Sequence, residues 1–318
     1  MTVKIAFMGT PDFAVASLNV LLEEGMNVVC VVTQPDRPQG RKKVLTPTPV
    51  KAAAMEHGLP VLQPQRMRSP EAVAELAAYE PDLIVTAAYG QILPKAVLDL
   101  PRLGCVNIHG SLLPKYRGGA PIQRSIINGE TVTGITLMYM AEGLDTGDMI
   151  SRLEVPITDE DTSGTLFAKM SEAGAVLLRQ ELPRLLQGPL EAEPQDDEQA
   201  TYAPNLTRDD EKIDWSKDSR SIYNQIRGLV PFAGGFTLWN DEVFKVWKTL
   251  QPDPAAALPA GATDATPGTV VDMGTEGITV RTGDGVITLT EVQPAGKKAL
   301  RAADYVRGAS LTKGTVFQ

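Results

Sequence analysis

The first half of the chain alternates short, almost wholly apolar runs with amphipathic stretches. Positions 4–8 and 28–32 have the pattern of strands buried on both faces of a parallel sheet. Between them Val15, Leu18, Leu21 and Leu22 recur at helical spacing, with Thr10 read as the N-cap, Pro11 as the first helical residue and Gly25 as the stop. The alternation continues with helices over 50–57 and 70–78, strands over 59–62, 83–87 and 105–109, a helix over 123–128, a strand over 134–140 and a closing helix over 162–186. Such a chain is expected to be α/β: a doubly wound, mostly parallel (Rossmann-like) domain over 1–188.

The pattern then changes. Residues 189–206 are Pro-interrupted and acidic, with no Lys or Arg, which is linker composition. A helix near 219–228 precedes five short alternating runs, at 236–239, 243–248, 269–273, 278–282 and 286–292, separated by turns such as Asn240-Asp241 and Gly283-Asp284-Gly285. These predict a small antiparallel, OB-like β-barrel domain over 207–318, with 252–268 as a loose loop and Trp215, Trp239 and Trp247 in its core.

A length of 318 residues agrees with two domains. No apolar run approaches the ~20 residues that span a bilayer, and the start is not signal-like, so a cytoplasmic protein is expected. Cys30 and Cys105 lie in apolar runs and read as buried thiols; with two histidines in the chain, no metal site is expected. The turn after the first strand has one glycine, and the second strand ends in Thr33-Gln34 with no acid, which argues against a dinucleotide site.

The formal charge of −9 disfavours general nucleic-acid binding. The basic residues are nonetheless clustered. Arg37, Arg41, Lys42, Lys43 and Lys51 stand against Asp36 alone in a long loop after the second strand, and Lys297, Lys298, Arg301, Arg307 and Lys313 against Asp304 near the end. Each predicted domain thus brings one patch suited to phosphate.

Candidate chemistry concentrates in 104–121. In a strand over 105–109, Val106 and Ile108 face one way, so Asn107 and His109 project together on the other. Residues 110–121 are too rich in Gly and Pro for a helix and should form a loop over the carboxyl edge of the sheet, where open α/β folds bind ligands. An isolated Asn-x-His is most simply a hydrogen-bonded pair closing a strand. Cys105 is no partner for His109, since four residues of strand separate them by about 13 Å. The loop Gly143-Leu144-Asp145 should deliver an acid to the same edge.

The order Asn107-x-His109, Ser111-Leu112-Leu113-Pro114, Arg117-Gly118-Gly119-Ala120-Pro121 and Gly143-Leu144-Asp145-Thr146-Gly147-Asp148 resembles the folate-dependent formyltransferases. The resemblance extends through Ile213-Asp214-Trp215, 226–232 and 293–298. It implies catalytic roles for Asn107, His109 and Asp145, and 10-formyltetrahydrofolate as donor beside Tyr89, Gly90, Ile92, Leu93, Ser111, Leu112, Leu113 and Pro114. It implies, as acceptor, the α-amine of methionine esterified to initiator tRNA, gripped by Arg41, Lys42 and Lys43 and by Lys297 and Lys298, in an enzyme expected to be a monomer. For the transfer that the resemblance implies, Asn107 and His109 would hydrogen-bond the formyl oxygen while Asp145 orients His109 and a proton-carrying water. The competing readings are a formyltransferase for a small amine such as a purine precursor or amino sugar, a formyl-folate hydrolase, and a catalytically dead RNA-binding relative.

Overall fold

A computed structural model describes residues 2–40, 42–255, 257–308 and 310–318. The chain forms two compact units. The first comprises Met1–Pro121, Val132–Pro156 and Phe167–Pro204, and the second Ile122–Thr131, Ile157–Leu166 and Asn205–Gln318.

In the first unit, β1 (Lys4–Gly9), α1 (Asp12–Glu23) and β2 (Asn27–Val32) open the fold as a parallel β-α-β crossover. The basic loop becomes a small antiparallel hairpin, β3 (Arg37–Gln39) with β4 (Val44–Thr46), before α2 (Pro49–Glu56) and β5 (Val61–Leu62). Then come α3 (Pro70–Ala77), β6 (Leu83–Ala87), α4 (Lys95–Leu98), β7 (Cys105–His109), α5 (Pro121–Ile127), which belongs to the second unit from Ile122 on, β8 (Val132–Tyr139), β9 (Met149–Pro156) and α6 (Ser163–Leu185), which belongs to the first unit from Phe167 on. The sheet order is β5-β2-β1-β6-β7-β8-β9. The strand order reverses at β1, which opens a crevice between the carboxyl ends of β1 and β6, beside β7.

Two expectations need correction here. The strand over 134–140 is antiparallel to β7, pairing His109 with Thr136 and Val106 with Tyr139, and an unanticipated strand, β9, follows it. The loop of Asp145 therefore leaves near Cys105, whose carbonyl accepts from Met140 N–H (2.8 Å), and must fold back along β7. Thr10 does not cap α1: Pro11 holds that position, and Thr10 Oγ1 donates to the carbonyl of Tyr89 (2.9 Å), joining the ends of β1 and β6.

The stretch 189–206, read as a linker, runs along the first unit as far as Pro204. Glu193 bridges to Met149 and Tyr202 to Arg117. Its extended, Pro-rich backbone cannot satisfy itself, and it supplies the hydrogen-bond partners that the Gly-rich loop 114–120 also lacks. Arg117 N–H donates to Thr201 O (2.8 Å), Ala203 N–H to Arg117 O (2.7 Å) and Ala120 N–H to Ala203 O (3.0 Å).

The second unit holds α7 (Arg208–Glu211), α8 (Ser219–Leu229), β10 (Gly235–Trp239), β11 (Glu242–Thr249), β12 (Val270–Met273), β13 (Ile278–Arg281), β14 (Val286–Gln293), β15 (Leu300–Arg301) and α9 (Ala302–Val306). Its antiparallel sheet runs β10-β11-β14-β13-β12, with β15 on β14. The edges are bridged by the last residues. Val270 exchanges hydrogen bonds with Gly314 and Thr315, and Leu238 with Gln318, so the chain end completes a barrel-like sheet. Phe244, Val246, Val280, Leu289 and Phe317 fill the core. Among the described residues, no helix is long and apolar enough to cross a membrane.

Candidate active site

The alternation of β7 works as its sequence requires. Ile108 is buried against α6, where a Cβ on Gly174 would stand 2.9 Å from Ile108 Cγ2, so the helix can close on that face only with glycine there. The opposite face presents Asn107 and His109. Thr86, directly across on β6, donates from Oγ1 to Asn107 Oδ1 (2.8 Å), its shortest contact, with Val106 O at 3.1 Å and Met140 Sδ at 3.3 Å. With its oxygen engaged, the Asn107 amide turns its NH2 to the site, without a partner among the described residues.

His109 is buried, and its Nε2 lies 3.0 Å from the carbonyl of Tyr116. A carbonyl only accepts, so Nε2 carries a proton and Nδ1 is the ring nitrogen left for chemistry. Asp145 Oδ2 stands 3.7 Å from Nδ1, an ion-pair distance that is too long for a hydrogen bond. Its negative charge lies where a second ring proton would point. One imidazole nitrogen is thereby taken up by the scaffold.

The loop 110–116 is shaped to hold that carbonyl. Ser111 Oγ donates to Lys115 O (2.6 Å), while Thr136 Oγ1 donates to Ser111 O (2.7 Å) and accepts from Leu113 N–H (3.0 Å). On the other side, the turn 143–147 is compressed against the end of β8. A Cβ on Gly147 would lie 1.8 Å from Tyr139 O, so only glycine fits. Asp145 itself takes φ 51°, a conformation that costs a non-glycine residue about 1–3 kcal/mol and that Asp tolerates better than most. Its Oδ2 accepts from Gly118 N–H (2.8 Å), and its carbonyl from Gln195 Nε2 (2.7 Å).

The residues assigned to a donor site divide in two. Tyr89, Leu93, Ser111 and Leu113 are buried parts of the scaffold, whereas Gly90, Ile92, Leu112 and Pro114 retain surface. Ile92 is 80% exposed, and Leu144, which sequence reasoning passed over, is 59% exposed beside Asp145. Tyr89 Oη is buried with no hydrogen-bond partner among the described residues. The thiols of Cys30 and Cys105 are pushed up to about 12, chiefly by burial, so neither is a nucleophile at neutral pH. No group of side chains among the described residues could hold a metal ion. Two surface cavities of about 560 Å³ and 550 Å³ lie elsewhere, lined by residues such as Asn240 and Thr315, and Ser151 and Glu191; neither is lined by Asn107, His109 or Asp145.

Of the basic residues, Lys42 and Lys43 are exposed at the β3–β4 hairpin, where Lys43 takes φ 48° and donates its N–H to Gly40 O (3.1 Å); Arg41 lies outside the described residues. The hairpin base is tied down by Asp36, which accepts from Lys51 Nζ (2.6 Å) and Gln63 Nε2 (2.7 Å); these bonds hold its carboxyl below the usual range. In the second unit Lys297 and Lys298 are exposed after β14, with no ion pair among the described residues, whereas Arg307 and Lys313 pair with Asp304 and Asp272. Trp215 is core, but Trp247 is half-buried, with Lys245 Nζ 5.2 Å from its ring centre.

Comparison with known proteins agrees with the geometry. A family model described as formyl transferase matches residues 3–182, and one described as formyl transferase, C-terminal domain, matches 205–310. The fold is shared with an N-formyltransferase from Helicobacter canadensis, solved with folinic acid and dTDP-3-aminofucose (TM-score 0.67, 20% identity, 91% of this chain and 99% of that one). It is shared too with HypX from Aquifex aeolicus, solved with tetrahydrofolic acid (TM-score 0.65, 17% identity), of which this chain spans 51%. Fold and family models define a formyltransferase.

The relatives are more specific. The methionyl-tRNA formyltransferase of Bacillus subtilis is 54% identical over 315 residues, covering 99% of this chain and 97% of that one. That of Halalkalibacterium halodurans is 52% identical over 320 residues, covering 99% and 98%. The chain belongs to the methionyl-tRNA formyltransferase family.

Proposed function

We propose that Asn107, His109 and Asp145 are the groups through which this enzyme moves a formyl group from 10-formyltetrahydrofolate to the α-amine of methionyl-initiator tRNA. The single observation that carries the assignment is the polarity of the pair on β7. Thr86 engages the Asn107 oxygen and Tyr116 O engages His109 Nε2, which leaves one amide NH2 and one ring nitrogen facing the acid.

Transfer between nitrogens needs little base, because a free amine already attacks well. A C–N bond forms to the formyl carbon, the bond to the donor nitrogen breaks, and a proton passes from the attacking to the departing nitrogen. Asn107 Nδ2 is placed to donate to the formyl oxygen as it gains negative charge, a contribution worth about 10²–10³ in rate for one such donor. His109 Nδ1 and the Asp145 carboxylate handle the proton, with the acid stabilising the ring when it is charged.

The exposed side chain of Ile92 and the half-exposed surfaces of Leu112 and Pro114 offer apolar area for a flat heterocyclic donor. Lys42 and Lys43, with Lys297 and Lys298, supply the phosphate contacts for the RNA, Arg41 completing the first set. An enzyme whose acceptor is an aminoacylated tRNA works in the cytoplasm.

The test offers labelled 10-formyltetrahydrofolate with methionyl-tRNA, free methionine and glycinamide ribonucleotide as parallel acceptors. Transfer to methionyl-tRNA alone, lost on His109→Ala, is expected. Transfer to a small amine would overturn the acceptor, and undiminished transfer by His109→Ala would overturn the site.

A further inference from the structure

The segment with linker composition contains a side chain that reaches the turn carrying Asp145. Gln195 Nε2 donates both of its hydrogens into that turn, to Asp145 O (2.7 Å) and to Gly147 O (2.8 Å). Its Oε1 accepts from Arg117 Nε (3.0 Å), and Arg117, only 2% exposed, donates from Nη2 to Asp197 Oδ1 (2.7 Å).

The orientation of the amide is over-determined. A guanidinium has five N–H donors and no acceptor, so Gln195 can present only its oxygen to Arg117, and its nitrogen must face the two carbonyls. Those carbonyls flank Thr146 in a turn held at φ 51° by Asp145 and closed onto Tyr139 O at Gly147. Gly118, next to Arg117, gives its N–H to Asp145 Oδ2, the oxygen nearest His109 Nδ1. Gly118 thus fixes the carboxylate directly, while Arg117 fixes the backbone of the same residue through Gln195.

We propose that Gln195 is a positioning residue for the reaction: aimed by Arg117, it staples the 145–147 turn and so sets the Asp145 carboxylate against His109. This rests on the reading of Asp145 as a member of the active site. Glu193 and Asp197, which flank Gln195, anchor it from either side, Glu193 by its bridge to Met149 and Asp197 by its pair with Arg117.

The experiment measures kcat and KM for methionyl-tRNA and for 10-formyltetrahydrofolate in Gln195→Ala, Gln195→Glu, Asp145→Ala and the Gln195→Ala/Asp145→Ala double variant, with thermal melts of each. Misplacing a catalytic group by about 1 Å costs up to ~10²-fold, so Gln195→Ala should lower kcat about 10- to 100-fold with both KM values within about twofold of wild type. Gln195→Glu should be as impaired, because a carboxylate still accepts from Arg117 but cannot donate to two carbonyls. In the Asp145→Ala background Gln195→Ala should change kcat by less than about twofold.

Wild-type kcat in Gln195→Ala, or in Gln195→Glu alone, would overturn the proposal, the latter by assigning the residue to holding Arg117. An equal loss with and without the Asp145 carboxylate would overturn it as merely structural. Wild-type kcat in Asp145→Ala would overturn the reading of Asp145 and the proposal with it, whereas impaired Asp145→Ala beside unimpaired Gln195→Ala would sink the proposal only.

Discussion

Thr86→Val removes one oxygen atom and tests how the Asn107 amide is aimed. Thr86 is 2% exposed at the end of β6, and its hydroxyl donates to Asn107 Oδ1 at 2.8 Å, its shortest contact. A hydrogen bond of this kind contributes about 0.5–1.5 kcal/mol net, which corresponds to roughly a two- to tenfold preference for the amide with NH2 outward. Without it the amide samples both orientations, and in the flipped one a carbonyl faces the developing oxyanion. A two- to tenfold preference keeps about two-thirds to nine-tenths of the amides productive and equal sampling leaves half, so Thr86→Val should lower kcat by about 1.3- to 1.8-fold, far short of the ~10²–10³ expected for Asn107→Ala, which removes the donor altogether. Valine nearly matches threonine in shape and Asn107 is not fully buried, so stability should change by no more than about 1 kcal/mol. Steady-state formyl transfer to methionyl-tRNA and a thermal melt read the two effects separately. An unchanged kcat would refute the claim that Thr86 aims the amide. A melt lowered with kcat intact would return Asn107 to a strand-closing role.

Other consequences follow from the same structure. Lys42→Ala/Lys43→Ala and Lys297→Ala/Lys298→Ala should each raise KM for methionyl-tRNA, leave KM for the folate donor unchanged, and flatten the dependence of log K on log salt by about one unit for each phosphate no longer neutralised; an unaltered salt slope would remove those residues from the RNA interface. Phe317→Ala should cost about 3–5 kcal/mol, because a ring that is 2% exposed and stacked on Phe244 (5.3 Å) and Trp215 (6.0 Å) leaves a cavity where the chain end bridges the sheet edges; calorimetry showing an unshifted transition would contradict that. Cys30 and Cys105, whose burial pushes them up to about 12, stay protonated at pH 8, so native protein should resist iodoacetamide until denaturant is added. Rapid labelling of either thiol in native protein would contradict the packing around it.

Much of the fold is legible in the sequence because its signals are local. The apolar runs of β1, β2 and β6, and the period-two alternation that turns Asn107 and His109 together, depend on neighbours within a few residues. The glycines of 143–147 likewise announce a tight turn, and the structure supplies the cause in the approach of Tyr139 O. What escapes is non-local. Whether β8 runs parallel or antiparallel depends on its pairing with β7, which its own residues do not encode, and β9 carries only a broken alternation through Met149, Leu153 and Val155. Thr86 sits inside an apolar run and draws no notice, although its partner is Asn107. Gln195 is hidden for a different reason: an acidic, proline-rich composition describes how a segment meets solvent and says nothing of backbone partners about 80 residues away.

The central claim is that Asn107 and His109 act together on one formyl group. Its most direct test is the single-turnover rate of formyl transfer to methionyl-tRNA at saturating enzyme, for wild type, Asn107→Ala, His109→Ala and the double variant. Each single variant should lose about 10² or more with its melt unchanged, and the double should fall well short of the product of the two losses, as groups serving one transition state do. Single variants within about threefold of wild type would contradict the account and move the chemistry elsewhere in the molecule.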